Sequence, residues 1–191
     1  LSLIMKRKEF KVQGSDITDG NNTNRLKKLG IKVYIGQKKS NILDAKLVVV
    51  STAISKRNIE YITAKKMFLP VVHRSEMLGE LMRLKQSIAI AGTHGKTTTT
   101  SLIAKMIEEN GMDPTIINGG IISSLDSNAK LGNGEWMVVE ADESDGSFAK
   151  LNPTVAIITN IDLEHLDYHK SEENLERAFL HFVSSIPFYG F

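Results

Sequence analysis

The chain has 191 residues, 41% of them hydrophobic, and a net charge of +2, which suits one or two domains with apolar cores. It has no cysteine, which excludes disulfides, thiolate metal sites and cysteine nucleophiles, and no apolar run approaches the ~20 residues of a membrane span. The charge is uneven: residues 1–86 hold 18 Lys and Arg against 7 Asp and Glu, while residues 87–191 hold 6 against 15. Halves of opposite sign point to two domains with different ligands. Lys27-Lys28, Lys38-Lys39 and Lys65-Lys66 read either as exposed helix and turn positions or as a face for an anionic ligand. No aromatic residues interleave them as a nucleic-acid stacking surface requires. Leu1 to Met5 precede their basic cluster, the reverse of a secretory signal, so the expected setting is the cytoplasm.

In chain order, Leu1 to Lys8 reads as a helix, and Phe10 to Gln13 as a strand that runs into Gly14-Ser15-Asp16. An acidic residue after such a strand meets a ribose hydroxyl in dinucleotide-binding units, and Asp16 is equally readable as a turn aspartate. The glycine-rich turn that belongs ~20 residues earlier in such a unit is not in this sequence. A helix over Asn24 to Leu29 stops at Gly30, and the strand Ile31 to Ile35 follows. Leu47 to Ser51 is an unbroken apolar strand, expected to be covered on both faces. Ser51 to Ser55 forms the loop at its carboxyl end, where open α/β sheets bind ligands. A helix over Asn58 to Lys66, a strand at Pro70 to Val72 and a helix over Ser75 to Leu84 complete the first half.

A buried strand over Ile88 to Ala91 then enters Gly92-Thr93-His94-Gly95-Lys96-Thr97, and a helix follows with Leu102, Ile103, Met106 and Ile107 on its apolar side. Ile116-Ile117 reads as a strand running into Asn118-Gly119-Gly120. Trp136 to Val139 and Val155 to Thr159 are two more strands, and Ser171 to Ser185 the last helix. The alternation makes the chain α/β. It reads as a Rossmann-like parallel-sheet domain over residues 1–86, lacking its first strand, then a truncated P-loop-type α/β ATPase domain over residues 87–191.

The turn at 92–97 has the chemistry of a phosphate-binding loop. Gly92 and Gly95 admit φ > 0 and close approach of a ligand, and the helix start presents N–H groups and a positive dipole end. Lys96 adds a full charge, and the Thr97 hydroxyl is placed to ligate Mg²⁺. The usual G-x-x-x-x-G-K-[ST] spacing needs glycine at position 90, where this chain has Ile90. Parallel strands end on one sheet edge, so Glu140 to Asp145 and Asn160 to His165 can converge on the loop. The acidic run is either a solvated loop or a cation site. For the latter Glu140 is best placed, with Asp142 and Glu143 pointing elsewhere or supporting it from behind. His165 sits among acids at a strand end, and the backbone of His94 is expected to matter more than its ring.

Gly92 to Thr100, Glu140 to Asp145 and Thr159 to Asp167 together resemble the Mur ligase family, and Gly14-Ser15-Asp16, His73 to Leu78 and Pro187 to Gly190 extend the similarity across the chain. Within the family the motifs are most similar to the member that joins L-alanine to UDP-N-acetylmuramate. The resemblance implies ATP-dependent amide formation through an acyl phosphate in peptidoglycan synthesis, with ATP and Mg²⁺ as cofactors. It implies nucleotide contacts from Gly92, Thr93, His94, Gly95, Lys96, Thr97, Thr98 and Asn160, and catalytic roles for Lys96, Glu140 and His165. It implies that Thr97 and Glu140 hold one Mg²⁺ and that His165 helps hold a second, and it implies UDP-sugar contacts from Asp16, Ser51, His73 and Arg74. Glu164 stands where the family usually has Asp before the histidine. The rest of the central domain and the amino-acid-binding third domain lie outside the sequence, so the chain by itself is expected not to ligate. The alternatives are a non-catalytic nucleotide-binding remnant, a P-loop switch, or the family's murein-tripeptide recycling ligase. Ser144 disfavours the last, whose acidic motif typically has tyrosine there.

Overall fold

Two parallel strand pairs carry the basic half. β1 (Gln13–Asp16) pairs with β2 (Lys32–Ile35), Asp16 opposite Ile35, and β3 (Val48–Val50) pairs with β4 (Val71–His73), Val50 opposite His73. Around them lie α1 (Ser2–Arg7), α2 (Asn21–Lys28), a 3₁₀ turn at Lys39–Ile42 and α3 (Ile59–Lys66). Asn58 caps α3, its Oδ1 accepting from the N–H groups of Glu60 (2.8 Å) and Tyr61 (3.2 Å). The buried Glu60 carboxylate accepts from Ser15 Oγ (2.5 Å), Asn41 Nδ2 (2.7 Å) and the Lys38 N–H (3.2 Å). Three donors satisfy a charge that would be costly to bury alone, and they tie α3 to β1 and the 3₁₀ turn.

The computed structural model describes residues 1–122 and 127–191, and the chain divides into two units, Leu1–Met77 and Leu78–Phe191. Three expectations for the first unit need correction. The strand expected at residues 10–13 lies at 13–16, because ladder pairing with β2 begins at Gln13. The valine strand is not covered on both faces: Val48 and Val50 are half-buried and Val49 is exposed. Nor do the pairs join into one sheet among the described residues.

The second unit is a five-stranded sheet ordered β7-β6-β8-β5-β9. Its parallel strands are β5 (Gln86–Ala91), β6 (Thr115–Ile122), β8 (Trp136–Glu140) and β9 (Val155–Ile158), with β7 (Ser127–Lys130) antiparallel on the edge beside β6. β5 lies between β8 and β9, so the three strands that carry polar ends are adjacent. α5 (Lys96–Glu109) packs Ala104, Ile103 and Ile107 onto Ile90, Ile116 and Val138. Leu102 and Met106, read as part of that face, are exposed instead, since buried Thr100 sets the stripe at 100, 103, 104 and 107. The sequence reading misses β7, whose Ser-Asn-Ala-Lys has no strand-like alternation. Pairing with β6 makes it a strand, and Lys130 anchors it to Glu108 on α5 and, at 3.4 Å, to Asp113. The Glu108 hydrogen bond raises the Lys130 ammonium above its ordinary pKa.

α4 (Arg74–Met82) begins in the first unit and ends in the second. Its later half packs on the second unit, where a Cβ on Gly79 would come within 3.0 Å of the Lys150 carbonyl oxygen. Lys85 then donates to Thr115 Oγ1 (3.0 Å) and to the carbonyls of Gly132 (3.1 Å) and Gly134 (2.6 Å). After β9 come α6 (Leu166–His169) and α7 (Glu172–Ser184), the latter capped by Ser171. No helix among the described residues is long and apolar enough to cross a membrane. Phe148 meets Phe179 and Phe182 of α7 with ring centroids 5.0 and 5.3 Å apart. Phe148→Ala is expected to cost about 3–5 kcal/mol in urea unfolding of the second unit, the range for emptying a buried aromatic site. A loss under about 1 kcal/mol would show that this cluster does not hold α7 in place.

Candidate functional site

The loop between β5 and α5 is shaped by the end of β9. Gly92 has φ +129°, and a Cβ there would lie 2.1 Å from Thr159 Oγ1 and 2.9 Å from the Asn160 carbonyl oxygen. Glycine at 92 is therefore what lets the two strand ends touch. Asn160 grips the loop with both ends of its side chain: Oδ1 accepts from the His94 N–H (2.9 Å) and Nδ2 donates to the His94 carbonyl (3.1 Å). Its own carbonyl accepts from the Thr93 N–H (3.1 Å), and Thr159 Oγ1 donates to the His94 carbonyl (2.6 Å). Gly95, at φ +80°, starts α5 with no side-chain cap, so the N–H groups of the first turn keep no intrahelical acceptor.

The predicted polar groups gather here in two sets. Thr97 Oγ1 lies 3.0 and 3.1 Å from the two oxygens of Glu140, which ends β8 and also accepts the Gly119 N–H at 2.8 Å. Lys96 Nζ donates to the carbonyls of Gly92 (2.7 Å) and Thr93 (3.1 Å) and meets Glu143 Oε1 and Oε2 at 3.1 and 3.0 Å. Glu143 is thus not peripheral, as its place a turn beyond the strand suggested. Its side chain is 1% exposed and turned toward Lys96, with the backbone carbonyl accepting from His169 Nε2 at 2.9 Å. His165 Nε2 stands 3.5 Å from Glu143 Oε1 in the left-handed backbone region, φ +57°. His165 meets Glu143 and stands apart from the Thr97–Glu140 pair, in keeping with its expected place at a second cation. The His94 ring faces Asp162 (3.5 Å) and Glu164 (3.6 Å), and Thr98 is exposed on the first turn of α5.

Mg²⁺ is usually held by one or two protein oxygens and completed by phosphate and water. The Thr97 hydroxyl and Glu140 carboxylate, side by side at the mouth of the loop, fit that requirement. In the first unit His73 ends β4, its Nε2 3.1 Å from Thr52 Oγ1 and its Nδ1 2.7 Å from Ser75 Oγ. Ser51 follows β3 directly, so strand pairing brings it to the same end as His73 and the exposed Arg74. Asp16 ends β1 in the other pair, and its Oδ1 accepts from the Thr18 N–H at 3.3 Å, an aspartate turn.

Comparison with known proteins bears on this arrangement. Residues 1–86 match the model for the Mur ligase family catalytic domain, and residues 90–191 match that for the Mur ligase middle domain. The chain belongs to the Mur ligase family. Mur ligases are ATP-dependent enzymes that form amide bonds. A UDP-N-acetylmuramate–L-alanine ligase from Parvibaculum lavamentivorans is 59% identical over 98% of this chain, and one from Rhodospirillum rubrum is 57% identical over 95%. The chain spans 38% of the length of each. The crystal structure of a UDP-N-acetylmuramate-alanine ligase from Thermotoga maritima superposes with a TM-score of 0.87 at 31% identity, covering 97% of this chain and 44% of that one. A UDP-N-acetylmuramate:L-alanyl-gamma-D-glutamyl-meso-diaminopimelate ligase from Neisseria meningitides gives 0.86 at 26% identity, covering 99% and 64%.

Within this cluster, sequence reasoning misses Thr159 and Gly119 as builders and undervalues Glu143. A threonine and asparagine together at a strand end beside a glycine loop were the available signal for the first. Gly92→Ala is expected to strain the β5–β9 junction by about 1–3 kcal/mol and to weaken ADP binding about tenfold or more. Calorimetric titration of the variant against the parent chain measures this, and unchanged affinity would show that Thr159 and Asn160 do not shape the loop.

Proposed function

We propose that this chain contributes the nucleotide-binding and part of the UDP-sugar-binding machinery of an enzyme that joins L-alanine to UDP-N-acetylmuramate. The observation that carries the reading is the convergence of Lys96, Thr97 and Glu140 at the carboxyl ends of adjacent parallel strands. Relatives named as L-alanine ligases, at 59% and 57% identity, support the choice of substrates. Ser144 and the lower identity, 26%, to the Neisseria tripeptide ligase favour it over the recycling reaction. The setting is the cytoplasm and the product a precursor of peptidoglycan.

In this reading the lactyl carboxylate of the sugar attacks the γ-phosphorus of ATP. A carboxyl O–P bond forms, the β–γ bridge breaks and ADP leaves. The L-alanine amine then attacks the acyl carbon, and inorganic phosphate departs with the bonding pair. Lys96 and the open N–H groups of α5 offset charge on the phosphates, the kind of positioning and electrostatic work that dominates phosphoryl transfer. Thr97 and Glu140 would hold Mg²⁺, which supplies charge neutralisation at the phosphate oxygens. Asp16, Ser51, His73 and Arg74 are proposed to meet the UDP-sugar.

Lys96→Ala is expected to weaken ATP binding about tenfold or more and AMP binding less than about threefold, since AMP lacks the phosphates this ammonium reaches. Equal losses for both nucleotides by calorimetry would count against the phosphate loop. Glu140→Gln and His165→Ala are each expected to lower the gain in ATP affinity that Mg²⁺ gives the parent chain, and a chelator to abolish that gain. A full Mg²⁺ response in both variants would remove Glu140 and His165 from the metal assignment.

A further inference from the structure

An ammonium has three N–H donors, and Lys96 has committed all of them: one to the Gly92 carbonyl, one to the Thr93 carbonyl and one to Glu143. Its side chain is 13% exposed and that of Glu143 only 1%. No donor is left for an incoming phosphate, so a bond must be exchanged. The two carbonyls belong to the loop itself, whose path is fixed from the other side by Asn160 and Thr159. Glu143 comes from a different strand end. Its Oε2 lies near Nζ at an angle too oblique for a hydrogen bond and has no other partner, although it is buried. A carboxylate and a phosphate that face one ammonium also repel each other.

Resting on the phosphate-loop reading above, we propose that Glu143 is a positioning residue that parks Lys96 on its own loop, and that phosphate binds by taking the place of Glu143 on the Lys96 ammonium. Exchange leaves a buried carboxylate short of a partner, which lowers the apparent affinity of the site for phosphate. His165, 3.5 Å from Oε1, is the neighbouring group able to take up that contact when Lys96 turns away. The His165 ring meets this carboxylate from a residue whose backbone is left-handed, φ +57°.

The test is titration of the 191-residue chain with ADP in chelator, followed by amide NMR, for the parent, Glu143→Gln, Lys96→Ala and the double variant. Glutamine keeps the shape and removes the charge, so Glu143→Gln is expected to bind metal-free ADP about tenfold tighter, a difference of about 1.4 kcal/mol. That gain is expected to vanish in the Lys96→Ala background, because the exchange runs through the ammonium. A purely structural Glu143 would lower the melting temperature and leave ADP affinity unchanged or weaker, and that result overturns the proposal. A gain of the same size without Lys96 overturns it too. If Lys96→Ala weakens ADP binding while Glu143→Gln gives no gain, this proposal fails and the phosphate loop stands. If neither the parent nor Glu143→Gln binds ADP, the loop reading fails and the proposal with it. Should Glu143→Gln not melt cooperatively, Glu143→Asp decides: a carboxylate one methylene shorter is expected to hold Lys96 less well and to bind ADP about threefold tighter, and weaker binding overturns the proposal.

Discussion

The contact between the β5 and β9 ends is the constraint on which the site depends. Gly92 presses its backbone against Thr159 and Asn160 where any side chain would collide. That approach lets one asparagine clasp both backbone groups of His94, which presents the following N–H groups and Lys96 at the start of α5. The parallel pairing of β5 with β8 on its other side delivers Glu140, and the loop beyond delivers Glu143. One strand, flanked by two others with polar ends, thereby collects an ammonium paired with one carboxylate and a hydroxyl paired with another.

The charges in that cluster have different standing. Glu140 accepts from a hydroxyl and a backbone N–H at a partly open position, so a cation can join it at little desolvation cost. Glu143 is enclosed and pairs with Lys96 at 3.0 Å. An enclosed carboxylate left alone is costly, whereas one that trades partners with a ligand can set how readily that ligand binds. The site therefore separates an outer pair, Thr97 and Glu140, from an inner pair, Lys96 and Glu143.

Much of this was legible in the sequence, for identifiable reasons. The strand–glycine–Lys-Thr–helix signature reflects local backbone chemistry, and the apolar runs over Ile88 to Ala91, Trp136 to Val139 and Val155 to Thr159 mark strands whose order in the chain implies a shared edge. Features set by tertiary contact were not legible. β7 is a strand only because β6 lies beside it, and Leu102 lies outside the core because Thr100 claims the inner face of α5. Glu143 looked marginal by distance along the chain, and the turn that follows β8 folds its side chain back onto Lys96. In the basic half, the valine strand reads as fully buried from composition, whereas burial depends on a neighbouring strand that a run of three valines cannot specify.

Amide hydrogen exchange across residues 92–98, with ADP and Mg²⁺ present or absent, tests the central claim most directly. If the β5–α5 loop is a phosphate site held open by the β9 end, the N–H groups of Gly95, Lys96, Thr97 and Thr98 gain an acceptor and exchange at least about tenfold more slowly with ADP, while AMP changes them little. Slowing of these amides by AMP and ADP alike, or protection by ADP that leaves 95–98 untouched, would contradict the account.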